Sequence, residues 1–426
     1  MTRAPSPAQF LARSRLTPHR LHLPGTALVE LHPDPRQDLV LFGGYLQAGR
    51  LLDPAEHPGL CHLLAHMLGT ERPGCAVNLR QDASLVFASS ADRVNLNVEL
   101  KCLAEDALPC AARLIEHLRT PFDLLAMTAN RGVLDEHKLQ VARTLMRQGQ
   151  QASTLAVHTL QQLSYPAPHP YHAPEAGELE PLARVTPDAL ASFHRTHVLG
   201  SPLALVVSGH FDPVSMTDTL QQAFEGWDAP QKSRPHVPPA PLAPGTTVRL
   251  PRSTGALQYL LLGQASVGRD HPQWTAYALL NHLLARAHGG GRLAARLRHA
   301  RGATYHLDCH FDGGWRTGLW RCGGWFTPED VLWAITVIEE ELTRLHDEPV
   351  SDLELDSSRK AIAMAIMTTL STHDGLVRER LGAHFYGLGD DHLERTHERL
   401  QGVTAHDVQA AARTLTPDTL RRVIVG

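Results

Sequence analysis

No stretch of 18 consecutive apolar residues occurs in this 426-residue chain, which excludes a membrane-spanning helix of ordinary length. Cysteine is scarce: six residues, at 61, 75, 102, 110, 309 and 322, with no CxxC spacing. That excludes a disulfide framework and leads us to expect buried thiols in a reducing, cytoplasmic compartment. Neither sign of charge dominates. Forty Lys plus Arg stand against 44 Asp plus Glu, for a net charge of −4, so a nucleic-acid binder relying on a basic surface is excluded. The first residues, MTRAPSPAQFLARSRL, lack an apolar signal core, and no secretory signal is expected. Arg3, Arg13, Arg15 and Arg20, with no acid before Glu30, read as a short basic arm rather than a mitochondrial presequence.

What is present is ordinary for a globular protein: 43% hydrophobic and 20% charged residues, in a chain long enough to bury a large core. The sharpest break is APQKSRPHVPPAPLAPG at 229–245. Its prolines cannot join a helix or an inner strand, so it reads as a stiff extended linker. It separates a first domain, 1–228, from a second, 246–426. The two look duplicated. RVTPDALASFHRTHV (184–198) precedes the apolar strand LALVVSGHFD, and GVTAHDVQAAARTLT (402–416) precedes LRRVIVG. In both, a Val-Thr pair opens an amphipathic helix, with Thr186 or Thr404 as N-cap, and a short strand ending in Gly follows. Segment 93–100, RVNLNVEL, alternates as a half-buried antiparallel strand does. Each half therefore reads as α+β: a mixed, mostly antiparallel sheet with helices packed on it. Helices are expected at 58–68, 105–118, 130–147, 152–163, 272–286, 292–299, 328–345 and 352–370, besides the two closing ones.

Residues 58–69 read PGLCHLLAHMLG. His62 and His66 are four apart and share one helix face, a usual zinc-ligand spacing. Among 27 histidines such a pair is weak by itself, since chance pairs arise and most histidines lie on the surface. His306 and His310 also stand four apart, on an expected strand.

The surrounding residues carry more. The segment GYLQAGRLLDPAEHPGLCHLLAHMLGT (44–70) resembles the signature of the M16 (insulinase, pitrilysin, mitochondrial processing peptidase) zinc peptidases, in which a strand ending in Gly-Ser-Arg is followed by a helix bearing HxxEH. ASSADRVNL (88–96), HPYHAPEAGELEPLARVT (169–186) and HGGGRLAARLRHARGATYH (288–306) resemble later segments of the family in the same order. The resemblance implies an M16/LuxS-like metallohydrolase fold of two homologous domains.

It also implies what has been lost. The family's glutamate between the histidines is the general base that activates zinc-bound water, and here that position is Ala65. The third ligand of the family lies on a later helix. Counting on from His66 places Arg143 at the ligand position and Glu136, seven residues earlier, at the supporting one; a shift in that helix makes Glu136 the ligand instead. Guanidinium offers a metal no lone pair. No metal is therefore expected in this chain. Gly289, Gly290 and Gly291 lack the Lys and Ser/Thr of a phosphate loop and read as a flexible turn. In the second domain, Arg298 and Tyr305 stand where the family keeps an Arg/Tyr pair that faces the zinc site across a closed chamber.

The resemblance accordingly implies a non-catalytic subunit of a heterodimeric M16B-type peptidase. Its partner carries the intact HxxEH and the zinc. Arg298 and Tyr305 grip an extended peptide substrate, with Ser89 and Ser90 near a sheet edge to which the peptide adds. Without that partner the chain is expected to pair with itself. Two alternatives stand beside this: an active zinc metallopeptidase in which Ala65 is an engineered knockout, and a structural subunit of a larger complex. Neither nucleic acid nor membrane is expected as a partner.

Overall fold

The computed structural model describes residues 18–70, 84–120, 131–230, 232, 235–241, 243–253, 255–285, 290–305 and 307–426. Cys75, Gly289, His306 and the arginines at 3, 13 and 15 lie outside the described residues. Among the described residues no helix is long and apolar enough to cross a membrane.

Among the described residues, eleven strands form two sheets. The first takes β1 (His19–Arg20), β2 (Thr26–Pro33), β3 (Leu39–Leu46), β4 (Leu85–Ala91), β5 (Leu96–Leu103) and β6 (Leu203–Gly209) in the order β1-β2-β6-β3-β5-β4. The second takes β7 (Thr247–Leu250), β8 (Gln258–Val267), β9 (Leu307–Asp312), β10 (Thr317–Phe326) and β11 (Arg421–Val425) in the order β7-β11-β8-β10-β9. Apart from β1 the two orders are the same. In each, the closing strand pairs parallel with an early strand of its half, β6 with β2 and β11 with β7, and the remaining pairs are antiparallel. The duplication visible in the sequence is therefore a duplication of strand order. The edge strands β4 and β9 occupy equivalent places.

The helices are α1 (Leu60–Leu68), α2 (Ala107–Arg119), α3 (Arg131–Gln150), α4 (Ala152–Ser164), α5 (Leu179–Ala183), α6 (Pro187–Phe193) and α7 (Pro213–Ala223) in the first half. The second half has α8 (Trp274–Leu284), α9 (Arg292–Ala294, running on as a π-turn through Ala295–His299), α10 (Val331–Asp347), α11 (Asp352–Leu370), α12 (His373–Tyr386), α13 (His392–Gly402) and α14 (Ala405–Ala412). Thr186 and Thr404 do cap α6 and α14: their side chains accept from the Ala189 and Asp407 amides. The sequence patterns do not predict α5, α7, α12 and α13.

β6 is apolar from Leu203 to Val207 and fully buried, as a strand covered on both faces must be. One face of its sheet packs on α1, α2 and α7 through Leu64, Leu114, Leu205, Val207 and Leu220. The other face, through Leu41 and Val206, meets Val377 of α12, a helix from the second half of the chain. The second sheet mirrors this. Leu261, Val423 and Val425 pack on Ala156 and Leu160 of α4, a helix from the first half. The two halves thus exchange covering helices. Glycine makes each approach possible: a Cβ on Gly43 of β3 would lie 2.3 Å from Val377 Cγ1, and one on Gly263 of β8 would lie 2.7 Å from Leu160 Cδ2.

Candidate functional site

Helix α1 is built from its buried side. Seven of its nine residues are buried, leaving only His62 and His66 partly open. The Asp53 carboxylate starts the helix by accepting from the Gly59 and Cys61 amides (2.6 and 2.9 Å), so negative charge sits at the helix N-terminus, where it is favoured. The helix lies against β4 and α3. Ala65 is buried, and its carbonyl accepts from the Ser89 hydroxyl at 2.5 Å, which ties the edge strand to the helix.

His62 lines a cavity of about 690 Å³ between the two halves, with Arg93, Tyr165, Tyr171, Glu175 and Tyr386 on its walls. Its Nδ1 is buried and has no hydrogen-bond partner among the described residues. Burial, with His66 beside it, holds its pKa below the usual histidine value, so the ring is neutral at pH 7. Arg93 crosses the cavity wall, pairing with Glu175 at 2.5 Å, donating to Gln161 at 2.7 Å and lying 4.8 Å from the centre of the Tyr171 ring.

His66 turns the other way. Its Nε2 lies 3.0 Å from Gln140 Oε1 on α3, and its ring meets that of His137 edge-on at 5.6 Å. Gln140 Nε2 in turn reaches Glu136 Oε1 at 3.5 Å. The residue that reaches His66 is therefore neither Glu136 nor Arg143 but Gln140, between them. Positions 136, 140, 143 and 147 recur on one face of α3, so sequence spacing alone does not choose among them. Glu136 and Arg143 are exposed, and Arg143 lines an open cavity of about 610 Å³ with His66, Gln140, Thr144, Met146 and Arg147. Among the described residues no group of three or more His, Cys, Asp or Glu side chains stands placed to hold a metal ion. Sequence reasoning missed Gln140, His137 and Arg147; the shared helix face was the signal that could have found them.

Ser89 and Ser90 lie on β4, the last strand of its sheet. Ser89 is engaged by Ala65, as described, while Ser90 is exposed beside a cavity of about 400 Å³ that reaches Asp374 and Arg378 of the second half. Arg298 and Tyr305 are brought together, the guanidinium 4.8 Å from the centre of the ring, and Tyr305 is 85% exposed. Neither lines the cavity beside His62 or the one beside His66.

With this geometry in view, the relatives can be compared. Residues 184–362 match the family model described as Peptidase M16 inactive domain. An uncharacterized zinc protease of Mycobacterium leprae (strain TN) is 23% identical over 268 residues, covering 61% of this chain and 58% of that protein. The match thus spans little more than half the length of that relative. The crystal structure of a peptidase M16 inactive domain from Pseudomonas fluorescens superposes with a TM-score of 0.84 at 19% identity, covering 96% of this chain and 98% of the other. A chain of complex III2 from Candida albicans superposes with a TM-score of 0.76 at 12% identity, covering 96% and 95%. At these identities the superpositions show a shared fold.

Proposed function

We propose that this chain, which matches the inactive-domain model of the M16 peptidases over residues 184–362 and resembles a zinc protease, is a non-catalytic subunit. It grips peptide for a partner that bears the intact HxxEH and the zinc. The observation that carries the reading is the donor set around α1. Zinc asks for three protein ligands with an open position, and hydrolysis asks for a base beside the bound water. Here two imidazoles remain, the base position is a buried methyl at Ala65, and the side chain facing His66 is an amide. A neutral amide is a poor zinc ligand beside imidazole and carboxylate, and Arg143 and Arg147 bring positive charge to the same cavity. The donor set does not fit a resident zinc ion.

Three features support the gripping role. β4 ends its sheet and offers an edge for strand addition. Ser90 stands exposed on that strand. Arg298 and Tyr305 stand together, with the tyrosine ring open to solvent. The test is reconstitution. Alone, the chain is expected to cleave no peptide. Mixed with a genomic neighbour carrying HxxEH, it is expected to yield activity that Tyr305→Phe lowers by roughly 10–1000-fold, the scale of one lost transition-state donor. Arg298→Lys is expected to lower it too, because an ammonium cannot reproduce the guanidinium fork. An unchanged rate in the Tyr305→Phe mixture removes the role given to that residue. The likeness to a complex III2 chain favours one alternative, a structural subunit. Purification within a membrane redox assembly, with no HxxEH chain present, selects it.

A further inference from the structure

The cavity beside His66 has a charge opposite to that of a metal site. Its walls are His66, Gln140, Arg143, Thr144, Met146 and Arg147, and none of them is acidic. Neither arginine makes an ion pair with an acid among the described residues. Arg147 donates to the Thr144 hydroxyl at 3.2 Å, which engages one of its donors and neutralises nothing. The helix supplies no counter-charge within a turn either. Residues three and four from Arg143 are Leu139, Gln140, Met146 and Arg147, and those around Arg147 are Arg143, Thr144, Gln150 and Gln151. Two like charges one turn apart repel each other. Arg147 has a structural explanation, because the last turn of a helix favours a cation. Arg143 stands a turn earlier and has none. Glu136 lies 3.5 Å from the Gln140 amide nitrogen and does not line the cavity.

We infer that this cavity binds an oxyanion. Two guanidinium forks and the Thr144 hydroxyl line it, and planar forks match carboxylate and phosphate oxygens in pairs. One source is the carboxylate of a peptide held along β4, against which α1 lies; this source rests on the gripping role proposed above. The other is free phosphate, which does not.

The test uses the full chain alone, so its outcome does not depend on any partner. Calorimetric titration compares a short alanine-rich, N-acetylated peptide with a free C-terminal carboxylate, the same peptide as its C-terminal amide, and inorganic phosphate. Binding of the acid peptide, with the amide weaker by about tenfold or more, assigns the peptide source; one lost charge-assisted hydrogen-bonded contact is on that scale. Binding of phosphate without an acid-over-amide preference assigns the free anion and overturns the peptide source. In either case the Arg143→Gln/Arg147→Gln double variant is expected to lose the binding, and added salt to weaken it. Arg143→Lys is expected to keep only part of it. Both arginines are exposed, so the variants should melt with the parent, which a thermal scan checks. Equal binding by the parent and the double variant, or no binding of either oxyanion, overturns the inference. Loss of activity on mixing with oxyanion binding intact would count against the gripping role alone.

Discussion

The imidazole of His66 and the amide of Gln140 stand 3.0 Å apart. Two ligands on one tetrahedral zinc at 2.0–2.1 Å are separated by about 3.3 Å, so Gln140 is placed much as a third ligand would be, with the wrong chemistry. This yields a prediction for single residues. Ala65→Glu alone is expected to bring neither stoichiometric zinc nor peptide cleavage. Ala65→Glu with Gln140→Glu is expected to bind zinc measurably, and more tightly than Ala65→Glu with Arg143→Glu. Metal content after dialysis, by mass spectrometry, decides it; cleavage by Ala65→Glu alone would sink the view that the site is degenerate at several positions. The alanine at residue 65 is visible in the sequence. The identity of the residue facing His66 is not, because 136, 140 and 143 lie on one face of α3 and only the docking of that helix on α1 selects among them.

Elements show the same division. The sequence indicates α11, whose Ser351 side chain accepts from the Glu354 amide in a capping box, and the caps at Thr186 and Thr404, because a cap is a local hydrogen bond. Thr404→Ala is expected to cost about 1 kcal/mol, checked by urea unfolding. Helix α12 escaped because its sequence, HDGLVRERLGAHFY, lacks a single apolar stripe. Val377 and Leu381 pack on the first sheet, while Arg380 is satisfied by a carboxylate far away in sequence. The fit at Gly43 is close enough to test. Gly43→Ala is expected to cost about 1–3 kcal/mol by overpacking against Val377. With Val377→Ala added, the loss is expected to be smaller than the sum of the two single losses. Simple additivity in urea midpoints would show that the glycine is not needed for the approach of α12.

Across the whole molecule, the halves are held by side chains as well as by exchanged helices. Tyr45 meets His384 and Ser208 meets His373, each at 2.7 Å, and Lys101 pairs with Asp374. The centre of the contact is Glu30 of β2, which is 1% exposed. It accepts twice from Arg380 (2.7 and 2.6 Å), with Arg20 and His32 also in contact. Burial alone would raise the Glu30 pKa, but hydrogen bonds from Arg380, His32 and Arg20 outweigh it and hold the carboxyl far below its usual range. Its folded-state pKa is therefore below the unfolded value, near 4.3. The resulting stabilisation is complete above that value and is lost as the pH falls below it toward the folded pKa. Unfolding at neutral pH is expected to become easier by about 3 kcal/mol in Arg380→Ala, the scale of breaking a buried pair. The same variant is expected to show a shallower loss of stability below about pH 4. An acid limb identical to the parent's would rule out this pair as its source.

The sequence by itself determined the repeated closing helix and strand of each half, the caps at Thr186 and Thr404, and an alanine at residue 65. Each of these is written in neighbouring residues, through hydrogen bonds, periodicity or a missing functional group. Only the tertiary structure decided that α4 and α12 cross to the opposite sheets, that Glu30 is met by Arg380, and that Gln140 faces His66. These contacts join residues 74 to 350 positions apart. No local pattern marks them, because shape and charge at such contacts become complementary only once both halves have folded.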